Sequence, residues 1–563
     1  MERRVFIAVL LSFVVLYTYQ TYFAPPPPKP PESTSTASGA ADAGATAAAA
    51  GQKAAEAPAP AEPEVASLLG EPGERQIVVD TPTARITFTN KGARVLHWQL
   101  KQYRDTSGEL VDLVPSSLPS GEAVPFTLQL DDARETARVN AALYKVTGDA
   151  NGHVTVATGQ APLAFEYQDA NGLSVKKEFS FDAKGYTLQF KADVRRQSTV
   201  LTPTIVWGPG LGDQGASSGG GSMFTGNAVS PPRVLLNGPD GVVRQAPDAA
   251  MKQPVHSGPF TFVGVDDHYF VSFAVSQLPG RAEYRAVTLP GPNKTERRLL
   301  AYSLTPSSPG QAIKFFVGPK QFDDLQALGP DFTRAIDFGR FAWLVVPLLG
   351  TLKWLFRFTG NYGWSIILLT IIINLVMFPL RHKSSVAMRK MQAIQPQMKL
   401  IQDRYSHLKM TDPGRQKMNE EVSALYRDRG VNPASGCLPL LLTLPVLWAF
   451  YALLSQSIEL RGAPFAGWVH DLSTADPYFV LPALMGLTMF WQQKVTPTSV
   501  DPAQQRVMMI MPVMFTAMMA FSASGVVLYW FVSQLWAIGQ QYLTNWLVGP
   551  MPALAKQTSG RAK

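Results

Sequence analysis

Residues 362–380 read YGWSIILLTIIINLVMFPL, nineteen positions without a formal charge, and are followed at once by Arg381, His382 and Lys383. As a helix rising about 1.5 Å per residue, this run spans about 28 Å, close to the ~30 Å hydrocarbon core of a bilayer. Further apolar runs follow at 433–457, 477–492, 507–521 and 525–546. Inside lipid every backbone N–H and C=O must be satisfied within the protein, so these segments are expected to be helices. The run 507–521 spans only about 22 Å, so the bilayer beside it is expected to thin or its end to be covered by protein. Averages over the 563 residues, a net charge of +8 and 46% hydrophobic side chains, conceal how different the first half is.

That first half is polar and punctuated by Gly and Pro. Met1-Glu2-Arg3-Arg4 precedes an apolar run from Val5 to Leu16, closed by Tyr17, Tyr19, Tyr22 and Phe23. A basic flank first and aromatics last place the N-terminus in the cytoplasm and make residues 1–23 a membrane anchor. A cleaved signal peptide is the competing reading, but Ala24-Pro25 is a poor cleavage site. Residues 24–70 are an Ala/Pro-rich linker with too few large apolar side chains to order itself. From 71 to 325 the pattern is that of strands. In PLAFEYQDANGLSVKKEFSFDAKGYTLQFKADV, alternate positions Phe165, Tyr167, Leu173, Val175, Lys177 and Phe179 share a face, and Asn171-Gly172 supplies a hairpin turn. An antiparallel, many-stranded β-sandwich on the periplasmic side follows. Gly215 to Ser222, GASSGGGS, contains a G-x-S-x-G match at Ser217, but a nucleophile elbow requires a helix where a glycine run stands. With Cys437 as the single cysteine, no intrachain disulfide is possible.

The stretch FGRFAWLVVPLLGTLKWLFRF, within 326–361, is apolar but carries Arg340, Lys353 and Arg357. Lying flat in the interface, it leaves the loop 381–432 in the cytoplasm; crossing, it would export it. That loop carries eleven Lys and Arg against five Asp and Glu, so the positive-inside rule selects the interfacial helix. The count becomes six spans, counting the anchor, with both termini cytoplasmic, 433–546 holding spans 3 to 6 and 547–563 a short tail. Within the loop, Met388, Met391, Ile394, Met398, Ile401, Tyr405 and Leu408 recur at three and four, TDPG turns the chain with Asp412 and Pro413 suited to a helix start, and Met418, Val422, Leu425 and Arg429 repeat the spacing on the return. A hairpin of two facing amphipathic helices is expected, either self-packed beneath a solvated basic exterior or a docking surface for cargo.

Chemistry leaves few marks. The seven histidines lack metal-ligand spacing, no phosphate-binding loop is present, and the spans hold no paired carboxylates, so neither a metal nor another cofactor is expected, nor an enzyme. Asp266-Asp267-His268 suits a turn at a strand start. Polarity inside the spans stands out instead. Thr370, Asn374 and Arg381 are four and seven residues apart, on one helix face. Ser533, Gln534, Gln541 and Asn545 mark the last span, with Thr443, Thr488 and Thr516 lighter additions. A buried amide without a partner costs several kcal/mol in hydrocarbon. These faces therefore either bond to one another across helices or line a wet groove with Arg381 at its mouth. Six methionines, including Met508, Met511, Met514 and Met518, give the fifth span either a deformable apolar wall for many sequences or a plain lipid-facing surface.

VNPASGCLPLLLTLPV, SIELRGAPFAGWVHDLSTADPYFVLPALMG and SGVVLYWFVSQL closely resemble the core of the YidC-type membrane protein insertases, and the overall layout resembles their Gram-negative branch. The resemblance implies an α-helical polytopic inner-membrane protein with a five-helix insertase core and a periplasmic all-β supersandwich. It implies a chaperone that inserts newly made membrane proteins through a hydrophilic groove, closed toward the periplasm and lined by Thr370, Asn374, Arg381, Thr443, Ser533, Gln534 and Gln541. A cytoplasmic hairpin bearing Met391, Met398, Tyr405 and Tyr426 would cover its mouth. Nascent chains, the Sec translocon, the ribosome with the signal recognition particle pathway and the lipid bilayer are the implied partners, with no nucleic acid bound directly. The family usually carries a basic residue where Asn374 stands, so Arg381 is expected to supply that charge. Two readings remain open from the residues alone: a transporter or channel for a small polar solute, which would want broken half-spans, and a membrane-tethered glycan enzyme, which would want a convergent acid and base.

Overall fold

The computed structural model describes residues 67–548 apart from 106, 117, 120, 213–231, 276–278, 291–295, 407–413, 431–437 and 496–501. The anchor, most of the linker, the loop around Ser217, the Asp412-Pro413 turn, Cys437 and the tail lie outside the described residues.

Alternating burial builds the β-region. In the strand Leu173–Asp182 every second side chain is buried, and its antiparallel neighbours Gln160–Asp169 and Thr187–Arg196 share the pattern. The first hairpin turns at Asn171-Gly172, where Gly172 takes a positive φ of 81° and the Asp169 carboxylate accepts the N–H groups of Asn171 and Leu173. These strands belong to an eleven-stranded sheet, accompanied by two five-stranded sheets. Between them Phe126, Phe179, Phe190 and Trp207 pack with ring centroids 4.9–5.8 Å apart. Lys177, on the inward face, is fully buried. Its ammonium donates to the carbonyls of Gly92, Ala93 and Phe126 at 2.6, 3.2 and 2.8 Å, and burial pushes its pKa well below the usual lysine value. The sequence pattern thus placed a lysine in the core, and three convergent carbonyls account for it.

Among the described residues, seven helices follow from Ala342 onward: α1 (Ala342–Thr359), α2 (Tyr362–Arg404), α3 (Gly414–Asp428), α4 (Leu438–Gln456), α5 (Val480–Val495), α6 (Pro502–Met519) and α7 (Ser524–Val548). Among the described residues, two helical stretches, Gly339–Thr359 and α2, are long and apolar enough to cross a membrane by length and composition. α1 buries Val345, Leu348, Leu349, Leu352 and Leu355 along one side and exposes Trp343, Trp354 and Phe358 on the other. The sequence suggested a span ending near Leu380 and a separate hairpin; in the structure α2 runs unbroken for 43 residues, so the membrane segment and the first hairpin arm are one helix. A change from apolar to basic side chains does not stop a helix, since neither Arg nor Lys opposes helical geometry.

Side chains fasten the β-region to the helices. His268 bonds the Ser455 carbonyl at 2.8 Å, Arg461 lies over the rings of Tyr269 and Phe270, and Lys353 pairs with Asp323 at 2.8 Å and Glu459 at 3.3 Å. Asp267 forms the expected turn by accepting the N–H groups of Tyr269 and Phe270.

Candidate functional site: the polar face between α2 and α7

The start of α2 is fixed by its cap. Asn361 accepts the N–H groups of Gly363 and Trp364 and donates to the Phe465 carbonyl at 2.9 Å. Gly363 is required there, since a Cβ would stand 2.0 Å from the Phe465 ring. From this anchored end a chain of hydrogen bonds descends one face: Thr370 Oγ1 to the Ile366 carbonyl at 2.6 Å, Asn374 Nδ2 to the Thr370 carbonyl at 2.8 Å, and Arg381 Nη1 to Asn374 Oδ1 at 2.7 Å. Helical side chains lean toward the N-terminus. Arg381 therefore reaches back two turns, carrying its charge from the mouth to the level of the amide. Thr370 and Asn374 are buried, at 0% and 3% exposure. Among the described residues no carboxylate lies within ion-pairing distance of Arg381.

α7 runs parallel to α2. At one end Ile366 meets Gly525; at the other Gln540 Nε2 donates to the Phe378 carbonyl at 3.5 Å and His382 meets Thr544 Oγ1 at 3.1 Å. Interpolation along the pair brings Ser533 to Trp536 level with Asn374. Among the described residues, both indole N–H groups of Trp530 and Trp536 and the Gln540 side-chain oxygen are buried without a hydrogen-bond partner, and the Ser533 hydroxyl lies beside the Tyr529 phenol. Gln534 is half-buried beside them. Buried polar atoms are nearly always paired, so this run of unpaired groups beside Arg381 gives the face capacity for water or for a passing polar backbone.

The remaining expected positions divide. Gln541 bonds Asn545 at 2.9 Å and Ser385 at 3.3 Å, so it ties α7 to α2 below the amide level. Thr443 is half-buried on α4. Met511 and Met514 are exposed, at 54% and 56%, whereas Met508 and Met518 are half-buried. In the hairpin Tyr405 donates to Glu421 at 2.7 Å and Tyr426 to the Met398 sulfur at 3.1 Å, and Ile394 and Ile401 are buried. Met391 is half-buried one turn before Ile394–Met398. The three-and-four spacing therefore does turn one arm toward the other. His382, Ser385, Gln540 and Thr544 were not singled out from the sequence; the signal was a second polar cluster in the last span facing one just past Leu380. Among the described residues no group of three or more potential ligands could hold a metal ion.

Residues 354–548 match the family of 60Kd inner membrane proteins, and residues 76–350 match the YidC periplasmic domain. A membrane protein insertase YidC from Geotalea daltonii is 31% identical over 550 residues, covering 97% of this chain and 99% of the relative. The chain belongs to the YidC family of membrane protein insertases. A relative of the same name from Geobacter sulfurreducens is 35% identical over 483 residues, covering 83% of this chain and 85% of its own. A solved YidC insertase with its first transmembrane domain resolved shares 18% identity, with a TM-score of 0.34, over 85% of this chain and 94% of that one. Family membership makes this an inner-membrane protein with a periplasmic domain, and the polar face described above lies within the segment that carries the inner-membrane match.

Proposed function

We propose that the chain inserts newly made membrane proteins into the inner membrane, with the α2–α7 polar face as the groove that receives the polar flank of an incoming segment. The observation that carries this reading is the Arg381 guanidinium, held at the level of a buried amide by a 2.7 Å bond to Asn374. A cation on a neutral acceptor, without a carboxylate, is free to exchange that acceptor for a substrate carboxylate at little cost. The unpaired groups of α7 opposite would meet the flank's backbone, lowering the desolvation cost that opposes transfer. Partition of the apolar helix into lipid would supply the driving force, without a nucleotide. Ser533 and Gln534 would line the groove with Thr370, Asn374 and Arg381. Thr443 would complete it and Gln541 would close its mouth, while the Met511 and Met514 side chains would offer an adaptable apolar flank.

In this arrangement α1 lies in the periplasmic interface, α2, α4, α5, α6 and α7 with the N-terminal anchor make six spans, both termini are cytoplasmic, and nascent chains arrive directly or through the Sec translocon, with the ribosome and signal recognition particle upstream. The purified chain in proteoliposomes, given a single-span substrate with an acidic N-terminal tail, tests the reading. Arg381→Gln should slow insertion at least tenfold, and a neutral-tailed version should be affected less than twofold. Equal insertion of both substrates by both proteins would refute the groove's role.

A further inference from the structure

α2 contains Pro379 between the membrane segment and the hairpin arm. Proline has no N–H, so the Leu375 carbonyl loses its helical donor and the helix is weakened at this turn, as it is again at Pro396 farther along the hairpin arm. Polar contacts around that turn bridge it or pin it. Arg381 bonds Asn374 from the far side of the proline, a strap along the helix. Gln540 takes the Phe378 carbonyl just before Pro379, and His382 and Ser385 just after it bond Thr544 and Gln541. His382 also stacks on Phe378 across the same turn, rings 11° from parallel. Beyond this point the 43-residue helix continues past Pro396 to Arg404 and carries the return arm α3 through the Tyr405–Glu421 and Tyr426–Met398 bonds.

We infer that Pro379 is the hinge of the cytoplasmic hairpin, locked by the Arg381–Asn374 strap and by the α7 contacts. A substrate carboxylate that draws Arg381 off Asn374 unlocks it. Charge recognition in the groove and movement of the hairpin over its mouth are thereby one event. The inference rests on the insertase reading of the groove, but the lock is a property of the chain itself. Among the described residues, the groups at the lock include one cation, Arg381, the imidazole of His382, the Tyr529 phenol beside Arg381, and the neutral Asn374, Ser385, Gln540, Gln541 and Thr544. None of the neutral groups would compete with a carboxylate for the guanidinium.

The test uses the full chain in lipid nanodiscs, with Cys437→Ser and spin labels at Ser423→Cys on α3 and Leu487→Cys on α5, both exposed positions. The label-to-label distance distribution is measured alone and with a synthetic single-span peptide bearing either an acidic or an amidated (Asn/Gln) tail. Thr544→Val with Gln540→Leu should at least double the width of the distribution without peptide, and Pro379→Ala should narrow it. The acidic peptide should widen the distribution in the parent chain, leave it unchanged with Arg381→Gln, and the neutral peptide should leave it unchanged in both. A distribution indifferent to the α7 changes and to Pro379→Ala would overturn the hinge. A hinge that responds to these substitutions but not to the acidic peptide would overturn the coupling. Failure of the insertase reading would be separate, visible as absent insertion by the parent chain with an intact hinge response.

Discussion

Replacing Asn374 by leucine removes the acceptor that, among the described residues, holds Arg381 at this level of α2, while leaving size nearly unchanged and raising helix propensity slightly. The lost contact is a 2.7 Å bond from a guanidinium to an amide oxygen. Hydrogen bonds to charged groups contribute about 2 kcal/mol, and each 1.4 kcal/mol is about a factor of ten, so presentation of the charge at this level should fall about thirtyfold. Arg381 would then extend toward the cytoplasmic headgroups, as long basic side chains do at helix ends. The chain should still fold, since the amide's other bond goes only to the Thr370 carbonyl of its own helix. Insertion of an acidic-tailed single-span substrate should drop about tenfold to thirtyfold with Asn374→Leu, by a similar factor with Arg381→Gln, and little further in the double variant. A coupling energy in that cycle below about 0.5 kcal/mol, the usual margin of additivity, would refute the view that Asn374 works by holding Arg381.

Other consequences concern the periplasmic half. Lys177→Met removes the donor that three buried carbonyls share; it should cost about 3 kcal/mol, seen as a fall of about 6–12 °C in the β-region's thermal midpoint. Lys353→Ala strands Glu459, whose side chain is only 6% exposed, so it should destabilise the full chain to denaturant, and adding Glu459→Gln should restore most of the loss. Burial pushes His268 down to about 4 and Asp267 up to about 6. Between pH 4 and 6.5 the unfolded chain binds a proton that native His268 refuses, so stability falls as pH drops. Between 3.8 and 6 native Asp267 keeps a proton that the unfolded chain has lost, so its contribution rises as pH drops. Each is worth about 3 kcal/mol at full extent and the two nearly cancel. His268→Gln should therefore make the β-region gain stability as pH falls from 6 to 4, relative to the parent chain.

The parts of this molecule that were legible in the sequence depend on local period. Alternation located the strand Leu173–Asp182 and even the inward position of Lys177, and Asn171-Gly172 announced its turn. Spacing of four and seven put Thr370, Asn374 and Arg381 on one face, and the hydrogen-bond chain down α2 follows from that spacing. What escaped is non-local. The carbonyls that hold Lys177 come from residues 51 to 85 positions away. The partners that pin the turn after Leu380 lie 156 to 162 positions down the chain. Continuity of α2 through Arg381 escaped for another reason: charge patterning marks where a membrane ends, and only backbone chemistry marks where a helix ends.

The account's central claim is that the face shared by α2 and α7 receives substrate. A photo-activatable side chain placed at Gln534, and separately at Asn374, with a ribosome-stalled nascent membrane protein as the bait, tests it most directly. The account predicts crosslinks to the nascent chain from both positions, strongest when the polar flank of the nascent segment has just reached the membrane. Crosslinks to lipid or to neighbouring helices alone, at every stalled length, would contradict it.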